Sequence, residues 1–425
     1  MRIGIFTQWY EPEPGPAALS SVAARALVAR GHEVHALTGF PNYPSGRLAD
    51  GFHQRPRVRE LRDGVNVLRV PLVTGHDQSS ARRIVNYASF GLTAAVLGVP
   101  ALPVLDAVWV NYSPITLALP MWVQQLLRGT PTVCDVADLW PDTMQVSGLD
   151  GASRLNGRAI RAVGAWCKAM YASSDLVTYI SPGIGQVLAT RGVPQARLRY
   201  LPKPADERIF HPGGVSLRAT LGIDEHAVVL CYAGAMGAAQ GLEALLEATA
   251  LVNDPRLVVL LAGSGTQEEQ LKWHAAQLGV PGVRFLGRLP QDAMTDFMAT
   301  ADVAYVSLAD HPLSAVTMPS KTQATLASGR AILAAASGDL ADLVRNGRLG
   351  FVARPGDAAS IAAALKAAIA GGRGELARIG EVARARYVAE FSIEHTTDEL
   401  EAILTEASTH PRDGVSRLRP AGVAR

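Results

Sequence analysis

The residues best suited to chemistry lie late in the chain, in the run Met318-Pro319-Ser320-Lys321. We predict a short helix there, ended by Gly329 and followed by a strand. Pro319 suits a helix entry, and Ser320 suits the N-cap because its hydroxyl can accept hydrogen bonds from the first free backbone amides. These amides, the helix dipole and the Lys321 ammonium would converge on one spot, which suits a phosphate or diphosphate. An ordinary capped helix with a solvated lysine is the alternative.

A second candidate is an acidic run that directly follows an apolar strand. Asp135, Asp138 and Asp142 stand there beside Trp140. Three carboxylates and an indole at the carboxyl end of a strand indicate a polar site with an apolar wall. A capped turn before the next helix is the alternative.

Two glycine-rich runs, Gly234–Gly241 and Gly263–Gly265, are weaker signals. Each is as typical of a tight strand-to-helix turn as of a phosphate-binding loop. The sequence has no Walker A pattern, nucleophile elbow, HExxH or CxxC. The absence of a Walker A pattern argues against nucleoside-triphosphate hydrolysis.

Length and composition bound the remaining options. The chain has 425 residues, 48% hydrophobic and 18% charged, which predicts a globular protein of two domains. A formal net charge of +2 without a dense basic run argues against nucleic-acid binding. The three cysteines lie far apart in apolar segments, so we expect reduced, buried thiols, as in the cytosol.

The elements that must position these residues alternate between strand and helix. A strand at 2–7, a loop, a helix at 19–30 and a strand at 33–38 predict the start of a doubly wound parallel sheet. In such sheets ligands bind beyond the carboxyl ends of the strands, so the loops at 9–18 and 38–46 should border a cleft. The further elements of this half are strands at 65–71, 107–110, 132–134, 176–180 and 197–201 and helices at 80–98, 114–127 and 154–172.

The proline-marked stretch at 201–206 divides the chain, and a second alternation follows it. We predict strands at 227–232, 257–262, 283–285, 303–306, 331–335 and 350–352 and helices at 242–252, 357–371, 373–390 and 392–407. The predicted division is 1–202 and 203–390 as two Rossmann-like domains, 391–408 as a helix that crosses back to the first, and 409–425 as a disordered tail. The predicted fold class is therefore α/β, with two doubly wound domains facing a cleft.

The segment 79–98 is apolar on more than one face and has Arg82 and Arg83 at one end. A core-packing helix is one interpretation, and a helix that docks on a lipid surface is the other. Basic residues at 154, 158, 161 and 168 would strengthen the same contact. The region 84–127 is interrupted by prolines and polar residues, so we expect no uninterrupted run of the roughly 18–20 residues that span a membrane.

Taken together, the ordered motifs resemble a known family. They are Pro12-Glu13-Pro14-Gly15, Gly31-His32-Glu33-Val34, Phe40-Pro41-Asn42-Tyr43-Pro44-Ser45-Gly46, Asp138-Leu139-Trp140-Pro141-Asp142, Gly237-Ala238-Ala239-Gln240-Gly241 and Pro319-Ser320-Lys321. Up to about residue 408 the chain resembles a GT-B glycosyltransferase of family 4, in the bacterial branch of amino-sugar transferases for O-antigen and capsule. The resemblance implies an acceptor bound by the first domain, a nucleotide-sugar, usually a UDP-sugar, bound by the second, a retaining reaction and no metal or other cofactor.

The resemblance also implies roles for individual residues. Asp138 would position or deprotonate the acceptor hydroxyl. The acceptor-binding candidates are Gly15, Ala17, Asn42, Tyr43, Asp135 and Trp140. The donor-binding candidates are Gly234, Ala235, Gly237, Gln240, Arg288, Leu289, Pro319, Ser320, Lys321 and Gln323.

The chain departs from the family pattern at several positions. Ala235 and Gln240 stand where many members carry Arg and Lys, and Val316 and Ala324 replace the two acids of the E-x7-E motif. Lys321 would then supply the missing positive charge, and Gln323 would contact the ribose.

We predict a cytoplasmic glycosyltransferase, with contact at the inner face of the membrane through 79–98 as an open alternative. Its acceptor would be a lipid-linked sugar for surface polysaccharide or a small molecule such as an aminocyclitol. A catalytically weak relative that binds nucleotide-sugar or a partner, and a sugar-nucleotide epimerase, are the alternative functions.

Overall fold

The computed structural model describes residues 1–75, 80–111, 113–146 and 157–409. Contacts between Cα atoms divide the chain into two compact units. The first unit contains Met1–Pro202 together with the residues from Thr396 onward, and the second contains Lys203–His395.

The first unit is built on an eight-stranded sheet. Its strands are β1 (Arg2–Phe6), β2 (Glu33–Gly39), β3 (Val58–Arg62), β4 (Val65–Val70), β5 (Ala107–Asn111), β6 (Thr132–Val136), β7 (Leu176–Tyr179) and β8 (Leu198–Tyr200). Their order is β3-β4-β2-β1-β5-β6-β7-β8, and all paired neighbours are parallel except β3 and β4. Strand β3 was not predicted, because it is a polar edge strand on which alternate residues are exposed, so it lacks an apolar signal.

Before the linker, the described residues of the first unit form six α-helices. They are α1 (Leu19–Ala29), α2 (Ser80–Thr93), α3 (Ala118–Arg128), α4 (Thr143–Val146), α5 (Gly157–Ser173) and α6 (Pro182–Thr190). The predicted helix at 154–172 corresponds to α5, and its first three residues, like residue 79 of the segment 79–98, lie outside the described residues.

Helix α2 continues beyond Thr93 through a π-helical segment (Ala94–Gly98) and a 3-10 turn (Val99–Ala101). Residues 81–101 thereby form a helix that by length and composition alone could cross a membrane, with 39% of its most apolar window buried. The expectation of no such run is wrong, because helical turns continue through Gly98 and Pro100 instead of ending before them.

The second unit is built on a six-stranded parallel sheet. Its strands are β9 (Val228–Ala233), β10 (Leu257–Ala262), β11 (Val283–Gly287), β12 (Val303–Ser307), β13 (Ala331–Ala335) and β14 (Gly350–Ala353), in the order β11-β10-β9-β12-β13-β14. Its helices are α7 (Leu242–Val252), α8 (Glu268–Leu278), α9 (Met294–Thr300), α10 (Pro312–Ala315), α11 (Ser320–Ala327), α12 (Gly338–Gly347) and α13 (Ala358–Glu390). The backbone of Gly372 is non-helical and divides α13 into two parts. This agrees with the prediction of two helices, at 357–371 and 373–390.

The last helix, α14 (Ile393–Thr409), packs on the sheet of the first unit. Leu400, Ile403 and Leu404 are buried in one cluster with side chains of β1 and β2. Arg30 forms ion pairs with Asp398 and Glu401 of α14. The predicted tail falls outside the described residues from 410 onward.

Each sheet has one pair of neighbouring strands at which the strand order reverses. Crossovers lead outward in opposite directions from the pairs β1–β5 and β9–β12, so the carboxyl ends of these strands mark the crevice where doubly wound sheets bind ligands. The predicted α/β class with two doubly wound domains is confirmed.

Candidate functional site

In the second unit, the switch point between β9 and β12 brings two predicted segments together. Gly234 and the loop to Gly241 follow β9, while α11, which carries Lys321, lies between β12 and β13. The Ser307 hydroxyl at the end of β12 donates to the Gln240 carbonyl (2.6 Å), and the Ala309 amide donates to the Ala239 carbonyl (2.8 Å). These bonds hold the glycine loop against the end of the neighbouring strand.

The start of α11 differs from the prediction. The helix begins at Ser320 itself, and Pro319 occupies the N-cap position in extended conformation (φ −66°). The prediction that Ser320 is the N-cap is therefore wrong, and no side chain among the described residues caps this helix. The Thr322 amide donates to the Pro319 carbonyl (2.9 Å). The amides of Ser320 and Lys321 have no acceptor among the described residues, so these two are available to a ligand.

Lys321 projects from this turn into an environment of neutral groups. Its Nζ atom donates to the Tyr232 hydroxyl (3.1 Å) and to Gln240 Oε1 (3.2 Å) and lies 4.2 Å from the centroid of the Tyr232 ring. Among the described residues no carboxylate forms an ion pair with Lys321. Burial lowers the pKa of the ammonium to about 8. An ammonium with only neutral neighbours at a strand switch point is suited to an anionic ligand.

Tyr232 links the lysine to the glycine loop. Its ring is fully buried, and its hydroxyl donates to the Ala235 carbonyl at 2.5 Å while it accepts from Lys321. Sequence reasoning did not select Tyr232, although an aromatic residue two positions before Gly234 was visible. Only the fold brings that residue next to Lys321, 89 positions later.

The second glycine run, Gly263–Gly265, packs against the loop that begins at Gly234. A Cβ atom on Gly263 would lie 1.8 Å from the Gly234 carbonyl oxygen, and one on Gly265 would lie 2.3 Å from that of Met236. The Met236 amide donates to the Ser264 carbonyl (2.9 Å). The run Gly263–Gly265 therefore allows two loops to pack closely.

The other predicted donor residues surround this region at the ends of the strands. Ala235 and Gly237 belong to the glycine loop, and their amides have no acceptor within the described part of the chain. Arg288 is exposed and Leu289 half-buried just after β11, whose Gly287 carbonyl accepts from the Gly263 amide (2.8 Å). Gln323 is buried, and its Oε1 atom has no partner among the described residues.

In the first unit, Asp138 follows β6 and is partly buried. The Ser113 hydroxyl, which follows β5, donates to its carboxylate. Burial raises the pKa of Asp138 above its usual range, and the bond from Ser113 opposes that shift. A carboxyl group with a raised pKa at the end of a strand is a stronger base than an ordinary carboxylate, which suits proton exchange with a hydroxyl.

The three acids of this run do not act on one point. The Asp135 carboxylate is fully buried in β6 and accepts from the Thr178 hydroxyl (2.8 Å). Asp142 forms an ion pair with Arg191, which also donates to the Trp140 carbonyl (2.7 Å). Trp140 and Asp142 border a cavity of about 270 Å³ against α5.

The remaining acceptor candidates lie in loops after β1 and β2. Gly15 and Ala17 lie in the 3-10 turn Gly15–Ala18 that precedes α1. The amides of Asn42 and Tyr43 donate to Glu13 Oε1 at 2.8 and 3.0 Å, and the Tyr10 amide donates to Glu13 Oε2 at 3.1 Å. Sequence reasoning noted Glu13 only as part of a motif, since its partners are fixed by tertiary structure.

Family models match both units. Residues 15–204 match the Glycosyl transferase 4-like domain, and residues 227–370 match Glycosyl transferases group 1. The D-inositol 3-phosphate glycosyltransferase of Geodermatophilus obscurus is 31% identical over 331 residues, which is 75% of this chain and 69% of that protein. WcaI of Escherichia coli (strain K12), which bears the name of a colanic acid biosynthesis glycosyl transferase, is 25% identical over 341 residues, 77% of this chain and 82% of that protein.

A solved structure extends the likeness to the whole fold. HepE of Anabaena, in complex with UDP and glucose, aligns with a TM-score of 0.68 at 17% identity, covering 96% of this chain and 100% of that one. At 17% identity this likeness supports the fold alone. The family models and the relatives, in contrast, match the amino-acid sequence of both units. The chain is a glycosyltransferase of family 4 with the GT-B fold.

Proposed function

We propose that this glycosyltransferase takes its sugar from a UDP-linked donor held by the second unit. The observation that carries the proposal is the Lys321 ammonium, which has neutral partners and belongs to the first turn of α11. In the same turn the amides of Ser320 and Lys321 have no acceptor among the described residues. A diphosphate would accept hydrogen bonds from the ammonium and from these amides. The complex of HepE with UDP and glucose supports uridine as the base of the donor.

The same groups are proposed to stabilise the leaving diphosphate without a metal ion. Within the described residues no three His, Cys, Asp or Glu side chains form a group that could hold a metal. Lys321 and the amides of Ala235 and Gly237 are proposed as the charge-compensating groups. A retaining outcome is proposed on the family resemblance, and Asp138 is proposed to handle the acceptor hydroxyl.

The acceptor is proposed to be a hydroxyl on a sugar or a cyclitol, in surface polysaccharide or natural-product assembly. The names of two relatives support this range, since one refers to colanic acid and the other to an inositol phosphate. Both names imply a ring that carries several hydroxyls.

We propose further that the enzyme works in the cytoplasm and touches an anionic membrane surface through α2. Ile84, Val85, Leu92 and Val96 are between 49% and 61% exposed along this helix. Helices α2, α3 and α5 contain no Asp or Glu, while α2 and α5 carry Arg82, Arg83, Arg158, Arg161 and Lys168. An apolar strip on a helix that carries basic but no acidic residues favours anionic lipid.

Calorimetric titration with UDP, GDP and dTDP, without added metal, tests the donor proposal. Selective binding of UDP is the expected result. Selective binding of GDP or dTDP would overturn the assignment of uridine, and binding of none of the three would contradict a donor site at Lys321.

Sedimentation with vesicles tests the membrane proposal. Binding to vesicles that contain phosphatidylglycerol, but not to pure phosphatidylcholine, is expected, and Leu92→Ser should weaken it. The matched control is Leu251→Ser, which changes an exposed leucine (55%) on α7 of the second unit. Equal binding by both variants would contradict a contact through α2.

A further inference from the structure

Three residue pairs in the first unit share one pattern, a buried amide side chain followed by an aromatic residue. They are Gln8-Trp9 after β1, Asn42-Tyr43 after β2, and Asn86-Tyr87 in α2. The amide residues are at most 1% exposed, whereas the three aromatic residues are half-buried. The chain thus brings three distant segments together in two layers.

The inner layer is a hydrogen-bonded group of amides. Gln8 Nε2 donates to Asn86 Oδ1 (2.5 Å), and Asn86 Nδ2 donates to Asn42 Oδ1 (3.2 Å) and to the Val73 carbonyl (2.7 Å). Glu13 then fixes the backbone of Asn42 and Tyr43, as described above. Because these bonds are buried, breaking one leaves a costly unsatisfied group, so the three segments hold one arrangement.

The outer layer is a group of aromatic rings. The Trp9 ring makes edge-to-face contacts with Tyr43 (centroids 6.1 Å apart, 60° between planes) and with Tyr87 (6.0 Å, 84°). These rings lie beyond the carboxyl ends of β1 and β2, where this sheet type binds ligands. Half-buried rings at such a position offer a rigid apolar surface to a ligand.

We propose that Trp9, Tyr43 and Tyr87 form the surface on which the ring of the acceptor packs, and that the amide layer with Glu13 positions them. The ligand class is a pyranose or a cyclitol, because such rings present C–H groups on one face and hydroxyls at their edge. The inference rests on the proposed function, and it adds Trp9 and Tyr87 as binding residues and Glu13 as a positioning residue.

Saturation-transfer NMR on the full chain tests the aromatic surface, with methyl α-D-glucopyranoside, methyl α-D-mannopyranoside and myo-inositol as probes. Ring C–H protons of at least one probe should receive saturation. Trp9→Leu should weaken that probe roughly 2- to 12-fold, the range for an aromatic contact, and Trp9→Phe should restore most of the loss. The control is Trp273→Leu, at a 64% exposed tryptophan of α8 in the second unit.

Absence of saturation for all three probes, or equal loss in the Trp9 and Trp273 variants, would overturn the aromatic surface. If Trp9→Leu does not fold, as judged by circular dichroism, Tyr87→Leu replaces it with the same expectations. UDP titration of each variant separates this inference from the donor proposal. A chain that binds UDP but no ring probe contradicts the aromatic surface alone, whereas a chain that binds no nucleotide contradicts the donor site.

Hydrogen exchange tests the positioning role of Glu13. Glu13→Ala removes both accepting oxygens, so the amides of Asn42 and Tyr43 should exchange faster, and the ring probe should bind more weakly. Amides of β5 and β6 should exchange as in the unchanged chain, and UDP binding should persist. Unchanged exchange at Asn42 and Tyr43 would overturn the positioning role.

Discussion

Replacing Lys321 by methionine gives the sharpest test of the donor site. The ammonium has three donors, and Tyr232 and Gln240 already accept two of them, so one remains for a phosphate oxygen. One charge-assisted hydrogen bond contributes about 1.5–3 kcal/mol. We therefore expect Lys321→Met to weaken UDP binding by roughly 10- to 150-fold.

The stability of the ligand-free protein, in contrast to its UDP affinity, should not fall in this variant. Burial lowers the pKa of Lys321 to about 8 from the ordinary 10.5, which corresponds to a cost of about 3 kcal/mol for keeping the ammonium charged at neutral pH. Methionine keeps all but the last atom of the side-chain length and removes that cost. The unfolding free energy of the ligand-free variant should accordingly stay constant or rise, while its stabilisation by UDP falls.

The assay is calorimetric titration with UDP at pH 7, accompanied by thermal unfolding with and without UDP. Lys272→Met is the matched control, because Lys272 is an exposed lysine of the same unit that pairs with Glu268 and Glu269. A loss of UDP affinity below about 0.5 kcal/mol in Lys321→Met, or an equal loss in Lys272→Met, would refute the reasoning, since either would assign the charge to another group.

Three further predictions follow from the contacts, and one from packing. Tyr232→Phe should weaken UDP binding by about 0.5–1.5 kcal/mol in the same titration, because the hydroxyl that orients Lys321 and the Ala235 carbonyl is lost; no change would contradict this orienting role. UDP affinity should fall as pH rises above about 8, by up to about tenfold per pH unit, as Lys321 loses its proton in the free protein, and Lys321→Met should lack this fall. Asp138→Asn should reduce the transfer rate about 10²- to 10⁴-fold with UDP affinity unchanged, and full activity would exclude a proton-transfer role. Leu404→Ala, at a fully buried position of α14, should destabilise the first unit by about 2–5 kcal/mol in urea unfolding, and a loss below about 1 kcal/mol would contradict the packing of this helix.

Much of the fold could be predicted because the local signals were strong. Buried parallel strands are short apolar runs, and glycines or prolines close the elements between them, so β9 and β10 were located to within a residue. Gly329 and Gly372 marked helix ends correctly for the same local reason. The polar edge strand β3 and the continuation of α2 past Gly98 were missed, because edge position and helix continuation depend on neighbouring segments.

The candidate site was predictable in its location but not in its contacts. The lysine of α11 and the glycine loop after β9 were selected from residue type alone. The cap at Ser320 was misplaced by one residue, since helix entry depends on backbone angles that a Pro-Ser pair leaves open. The acidic run after β6 suggested one cluster, whereas the structure gives each carboxylate its own partner.

The sequence by itself determined the alternation of strands and helices, the two-part division and the residue types at the ends of the strands. These properties depend on hydrophobic periodicity and turn chemistry, which act over a few residues. Tertiary structure alone decided that Tyr232 supports Lys321, that Glu13 holds Asn42 and Tyr43, and that three amide–aromatic pairs meet. Such contacts join residues 29 to 89 positions apart, and only the strand order and register of the folded sheets bring them within hydrogen-bond distance.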